Sequence, residues 1–195
     1  MSNQNRLHSH GCMFVNAFID KQTASMFSLY FENKIRIGEW TESNKQSNIT
    51  KFGYYSDPLT EVFLQTRMSS VETLVGFELI PTYSYARIYQ PGELLIPHVD
   101  RPACEVSITV NVASIGGASP IYTKYESNDS EEHVLAPGDA VVYWGCKTKH
   151  WRRPLEDGQI NVQFMLHYVD KNGPNATHAK DCRPNFGFGL HTRSQ

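Results

Sequence analysis

A mainly β protein with helices ahead of its strands is what this 195-residue sequence predicts. Three observations carry that expectation. The hydrophobic period changes from 3.6 to 2 near Ile80. From there to Asp170, short alternating runs recur at roughly ten-residue spacing. Turn pairs separate them, at Pro91-Gly92, Gly116-Gly117 and Pro137-Gly138. Helices first and strands later make an α+β order around a β core, either a β-sandwich or a jelly roll. One domain is expected over 1–195, with helical support in 1–79, the core in 80–170 and a C-terminal extension in 171–195.

Met1 to Gly11 is polar and without an apolar stretch, so no secretory signal is read there. Asp20 is placed to cap a helix whose apolar face holds Ala24, Phe27, Leu29, Tyr30 and Ile35. Thr41 to Tyr55 is largely polar and reads as a loop or hairpin. Pro58 behind Asp57 opens a second helix with Leu59, Val62, Phe63 and Leu64 on one face, and Val71 to Gly76 extends it after a break.

In the first long strand Tyr83, Tyr85, Arg87 and Tyr89 alternate with Ser84, Ala86 and Ile88. Glu105, Ser107, Thr109 and Asn111 alternate with Val106, Ile108, Val110 and Val112. The last strand sets Gln159, Asn161, Gln163, Met165 and His167 against Ile160, Val162, Phe164, Leu166 and Tyr168. Shorter strands are expected at Leu94–Ile96, Ile121–Tyr125 and Ala140–Trp144. Ser127 to His133 reads as a solvated acidic loop with His133 exposed, and Lys171 to Gln195 as a loosely packed tail.

Composition excludes several classes. Lys and Arg number 18 against 20 Asp and Glu, a net charge of −2, so the basic face of a nucleic-acid binder is missing. No apolar run approaches the 18 or so residues of a membrane span. The four cysteines, Cys12, Cys104, Cys146 and Cys182, lie too far apart for a disulfide framework or zinc knuckle, and are read as reduced thiols of a cytoplasmic protein.

The chemistry centres on His98-Val99-Asp100 and on His150, fifty positions later. Residues i and i+2 of a strand point to the same side, so His98 and Asp100 can converge on one ion. A distant His on a neighbouring strand completes a triangular face. Two imidazoles and one carboxylate with open positions opposite form the ligand set of non-haem Fe(II) oxygenases. A His-x-Asp triplet alone arises by chance roughly one time in three in such a chain, so its context decides. His98 follows a strand and turn, and His150 follows a Pro-Gly-Asp turn and an apolar strand.

That context resembles the Fe(II)/2-oxoglutarate-dependent dioxygenases, in particular the prolyl-4-hydroxylase-like group. The matching residues are Tyr89 to Gly92 (Tyr-x-x-Gly), His98-x-Asp100, Ser107, Pro137-Gly138-Asp139 and His150. The run from His150-Trp151-Arg152-Arg153-Pro154 to His167-Tyr168-Val169-Asp170 is similar to small bacterial and phage members. The resemblance covers nearly half the chain well and the first eighty residues loosely. It implies a double-stranded β-helix core, jelly-roll or cupin-like, with His98, Asp100 and His150 holding Fe(II). It also implies 2-oxoglutarate as co-substrate, O2 as oxidant, and hydroxylation of a C–H bond with release of succinate and CO2. An Asp as third ligand fits hydroxylation better than halogenation.

The chain departs from that pattern at one place. The family sets an Arg or Lys about ten residues after the distal His, for the far carboxylate of the co-substrate, where this chain reads Gln159-Ile160-Asn161-Val162-Gln163. A buried carboxylate needs a cation or several donors. The substitutes are Arg87, on the strand face of Tyr85 and Tyr89, then Arg152 and Arg153 beyond His150, with Asn161 and Gln163 as donors and Tyr89 as pocket wall. Tyr83, Tyr85, Trp144 and Trp151 are expected in packing or walls, His167 as a satisfied core histidine, and Glu105 in a bond to the pocket or to Arg101. Lys147, Lys149, Arg152 and Arg153 would attract an anion. The substrate is a small molecule or a peptide side chain, and the oligomeric state stays open. A cupin-like metal enzyme without 2-oxoglutarate and a non-catalytic jelly-roll module are the alternatives.

Overall fold

The computed structural model describes residues 3–40 and 52–186. Helix α1 (Asn3–His10) leads into strand β1 (Cys12–Val15). Helices α2 (Lys21–Arg36) and α3 (Pro58–Val75) follow, with β2 (Phe52–Tyr55) between them. The later strands are β3 (Leu79–Tyr89), β4 (Leu95–His98), β5 (Val106–Ile115), β6 (Ile121–Lys124), β7 (Glu131–His133), β8 (Ala140–Trp144), β9 (Lys149–Arg152) and β10 (Ile160–Asp170). They form a large sheet in the order β1-β8-β5-β10-β3-β2 and a small one in the order β4-β9-β6-β7, and neighbouring strands among the described residues pair antiparallel. This is the expected jelly-roll core with helices on one side.

Local chemistry fixes the helix ends. The Asp20 carboxylate accepts from the Thr23 amide at 2.8 Å, and Asp57 accepts from the Leu59 amide at 2.9 Å ahead of Pro58. Gly76, at φ 91°, ends α3 in the left-handed conformation. The alternation read from the sequence then sorts the large sheet into two unlike faces. Val106, Ile108, Val110, Phe164, Leu166 and Tyr168 are fully buried and pack with Phe27, Phe31 and Leu64 of the helices. Phe164 sits at the centre, its ring 4.7 Å from that of Phe27 and 5.6 Å from that of Phe63. The opposite face carries Tyr83, Tyr85, Arg87, Ser107, Thr109, Gln163 and His167 toward the small sheet. A polar face enclosed between two sheets makes a chamber for chemistry rather than a dry core.

Three expectations are corrected, and one helix is added. Residues 3–10 are helical: Leu7 is fully buried, and its carbonyl accepts from Trp144 Nε1 at 3.0 Å. Helix α3 is continuous to Val75, without a break before Val71. Residues 131–133 form β7 against β6, and His133 is buried, its ring nitrogen 2.8 Å from the Thr123 hydroxyl. The C-terminal extension is packed as far as residue 186, through a 3-10 segment at Ala176–Cys182, because Arg183 pairs with the buried Glu61 and Asp181 with Arg101. Of the loop expected over Thr41–Tyr55, residues 52–55 are strand β2, hydrogen-bonded to β3, and 41–51 lie outside the described residues. No helix among the described residues is long and apolar enough to cross a membrane. All four cysteines are free.

Candidate metal centre

β4 and β9 pair in the small sheet with His98 opposite His150, which places their rings 4.2 Å apart. Asp100 lies just beyond β4, its amide bonded to the Gly145 carbonyl at 2.8 Å. Nε2 of His98 and Nε2 of His150 each stand 3.5 Å from Asp100 Oδ1. Those separations exceed a good hydrogen bond. Ligand bonds of about 2.0–2.2 Å place neighbouring donors roughly 3 Å apart, so the triangle fits one divalent cation with little adjustment.

The surroundings fit that role as well. His98 Nδ1 lies 2.8 Å from the Ile96 carbonyl, and His150 Nδ1 lies 3.1 Å from that of Thr148. A carbonyl only accepts, so each Nδ1 carries its proton and each Nε2 presents a lone pair to the centre. Burial opposes the Asp100 carboxylate, yet the imidazoles of His150 and His98 hold its carboxyl well below the usual range. Burial likewise opposes protonation of His98, but Asp100 and the Ile96 carbonyl raise it overall. Both features mark a pocket of negative potential suited to a cation.

A second layer fixes the carboxylate. The Ser107 hydroxyl donates to Asp100 Oδ2 at 2.9 Å and lies 2.9 Å from His167 Nδ1. One hydroxyl proton cannot serve both, so His167 must donate its Nδ1 proton to Ser107. His167 is the satisfied core histidine expected. A Cβ added at Gly145 would lie 2.0 Å from the Cys104 carbonyl and 2.7 Å from both Asp100 Oδ2 and Ser107 Oγ, so only glycine leaves this layer room.

Burial pushes the His167 imidazole down to about 4, from about 6.5 in an unfolded chain. Between those values the unfolded chain takes up a proton that the folded chain refuses, so stability is full above pH 6.5 and declines as the pH falls through 4. The loss from this residue alone is expected to reach about 3 kcal/mol. Chemical denaturation of the metal-free protein at pH 7 and pH 4.5 should show a smaller acid loss in His167→Asn than in the wild type. Equal losses would contradict it.

The chamber beside the triad has a volume of about 1370 Å³. Tyr83, Tyr85, Arg87, Tyr89 and Gln163 wall it on the large sheet, and Arg101 and Asp181 close its rim in a two-bond ion pair at 2.5 and 2.7 Å. Arg152 lies behind the wall, 3% exposed, stacked on Tyr89 and bonded to Gln163 Oε1 at 2.7 Å. Two other candidates lie elsewhere. Arg153 points outward over the Tyr122 ring, and Asn161 Nδ2 donates to Asn111 at 2.8 Å beyond the end of the chamber. Glu105 accepts from the Asp170 amide and reaches neither the pocket nor Arg101, which corrects the expectation for it. Trp144 and Trp151 stack on Phe77 and Tyr122 as packing residues.

Sequence reasoning missed Gly145, the Ser107–His167 link and the rim residue Asp181. Strand parity could have found the link, because Ser107 and His167 are paired on β5 and β10. Nothing in the sequence around Asp181 points to the site.

No protein-family model and no curated protein sequence matches the chain. Solved structures do. A prolyl-4-hydroxylase from Pseudomonas putida superposes with a TM-score of 0.66 at 15% identity, over 84% of this chain and 96% of that one. An oxidoreductase of the 2OG-Fe(II) oxygenase family from Burkholderia pseudomallei gives 0.66 at 13% identity, over 89% and 91%. The non-heme α-ketoglutarate-dependent epimerase SnoN of nogalamycin biosynthesis gives 0.68 at 10%, over 86% and 81%. The chain therefore has the jelly-roll fold of the 2-oxoglutarate/Fe(II) oxygenases. Its architecture, with the helices ahead of the core, is prolyl-4-hydroxylase-like.

Proposed function

We propose that the protein is an Fe(II)/2-oxoglutarate-dependent oxygenase that hydroxylates a C–H bond of a small molecule or a peptide side chain. The observation that carries this reading is the convergence of His98, Asp100 and His150, both imidazoles locked as Nδ1–H tautomers, at the wall of a polar chamber. Hydroxylation would convert 2-oxoglutarate, O2 and R–H into succinate, CO2 and R–OH. An Fe(II) ion held by the three residues would supply the activation of O2.

The chain's own residues supply the rest. His98 is about a third exposed toward the chamber while His150 is 3% exposed, so the open coordination positions face the cavity. The Ser107 hydroxyl donates a hydrogen bond to Asp100 Oδ2 and leaves Oδ1 to the ion. Tyr143, fully buried with its ring 4.6 Å from that of His150, blocks rotation of the imidazole and excludes water behind it. The chamber exceeds what a five-carbon diacid fills, which leaves room for the second substrate.

The test is anaerobic. Metal-free protein is loaded with Fe(II), then 2-oxoglutarate is added and the weak visible band of a metal-bound 2-oxo acid is followed. The band is expected, together with 2-oxoglutarate-dependent O2 consumption once air is admitted. Fe(II) binding without the band would favour a metal enzyme that does not use 2-oxoglutarate, and no metal binding would leave a jelly-roll module.

A further inference from the structure

The large sheet carries a cation beside the strand where one was expected. On β10 the inward residue is Gln163, and its direct partner across the ladder on β3 is Arg87. Arg87 lines the same chamber as His98 and Asp100.

Two guanidiniums meet here, and their surroundings differ. Arg152 is bonded to the carbonyl and hydroxyl of Ser119 and to Gln163 Oε1, and it stacks on Tyr89. Neutral oxygens and a ring face take up its two terminal nitrogens, while its Nε, like that of Arg87, is buried without a partner. Arg87 lies over the rings of Tyr85 and Tyr89, and its hydrogen bond to the Tyr89 hydroxyl is a long 3.3 Å contact. Its Nε is buried without a partner. Neither arginine forms an ion pair among the described residues, whereas Arg101 and Arg183 both do. A partly buried guanidinium left in this state is costly unless an anion reaches it.

The amide beside it is turned to help. Arg152 takes the Gln163 carbonyl, which leaves the Gln163 NH2 as donor, spent only on a weak contact to the Met165 sulfur at 3.3 Å. The Arg87 guanidinium, the Gln163 NH2 and the Tyr89 hydroxyl therefore present donors to one spot in the chamber. A cation over an aromatic pair, joined by further donors, suits a carboxylate.

We propose that Arg87 is the anchor for the distal carboxylate of the 2-oxo acid, with Gln163 and Tyr89 as further donors and Arg152 as the positioning residue that orients the Gln163 amide. The assignment rests on the functional reading above. A dicarboxylate spanning the triad and Arg87 also matches the charge it meets, since its two negative charges offset Arg87 and what the Asp100 carboxylate leaves of a divalent cation, while Arg152 stays among neutral oxygens behind the wall.

The experiment titrates anaerobic Fe(II)-loaded wild type, Arg87→Gln and Arg87→Lys with 2-oxoglutarate, and separately with 2-oxovalerate, which has the same carbon chain without the distal carboxylate. The visible band reads binding independently of turnover. Wild type is expected to prefer 2-oxoglutarate, and Arg87→Gln to bind it roughly 10- to 100-fold more weakly. That variant should bind 2-oxovalerate as wild type does, so that the preference disappears. Arg87→Lys should retain part of it, keeping the charge without the fork. Far-UV circular dichroism checks that each variant folds. A preference undiminished in Arg87→Gln would overturn the anchor while the oxygenase reading stands. No band with either acid in wild type would overturn that reading and the anchor with it.

Discussion

Asp100→Ala is expected to fold normally and to lose Fe(II)-dependent consumption of 2-oxoglutarate by roughly a thousandfold or more. The reason lies in how many roles one side chain fills. Asp100 supplies the only carboxylate of the triangle, and each imidazole Nε2 stands 3.5 Å from its Oδ1. Without it two neutral nitrogens remain, one on a side chain about a third exposed, and the negative potential that favours a divalent ion is gone. The fold has little stake in the carboxylate. The backbone bond from the Asp100 amide to Gly145 survives, and Ser107 keeps the Cys104 carbonyl, 3.2 Å away, as an acceptor. Succinate formation and melting temperature, measured on the same sample, separate the two effects. Iron-dependent turnover persisting in this variant would remove the triad from the mechanism.

Phe164→Ala should act in the opposite way, on stability first. Phe164 is fully buried on the central strand of the large sheet, and both Phe27 of α2 and Phe63 of α3 pack on its ring. Truncation removes the side chain on which both helices rest and leaves a cavity that a β-strand cannot close by moving. A loss of about 3–5 kcal/mol follows, which for a chain of this size lowers the melting temperature by roughly 10–15 °C. Its neighbours Gln163 and Met165 point into the chamber, so a slackened β10 should weaken 2-oxo acid binding as well. Thermal unfolding checks the first effect, and a shift of only one or two degrees would refute it.

Much of this was legible in the sequence because period-2 alternation is a direct physical consequence of the pleat. The apolar set Val162, Phe164, Leu166 and Tyr168 had to face one way, and Gln163, Met165 and His167 the other. With parity known, His98-x-Asp100 could be placed on one face and His150 opposite. Where structure does not come from periodicity, the reading failed. α1 has a single deeply buried apolar residue, Leu7, and is held by tertiary contacts, so no stripe announces it. Residues 176–183 are held by the ion pairs of Asp181 and Arg183 with residues 80 or more positions away, which no local pattern records. Gly145 carries no signal in its own neighbourhood, because its constraint comes from atoms of Cys104, Asp100 and Ser107 on other segments.

The position of β10 carries one more consequence, for the order in which the molecule assembles. This strand is the last of the core in the chain, yet it lies in the middle of the large sheet, joining β5 on one edge to β3 on the other. Until it is inserted, β3 with Arg87 and β5 with Ser107 have no shared neighbour, and His167 is absent from behind Asp100. The three ligands themselves lie on or beside β4 and β9 of the small sheet, so what β10 completes is the layer behind Asp100 and the wall that carries Arg87.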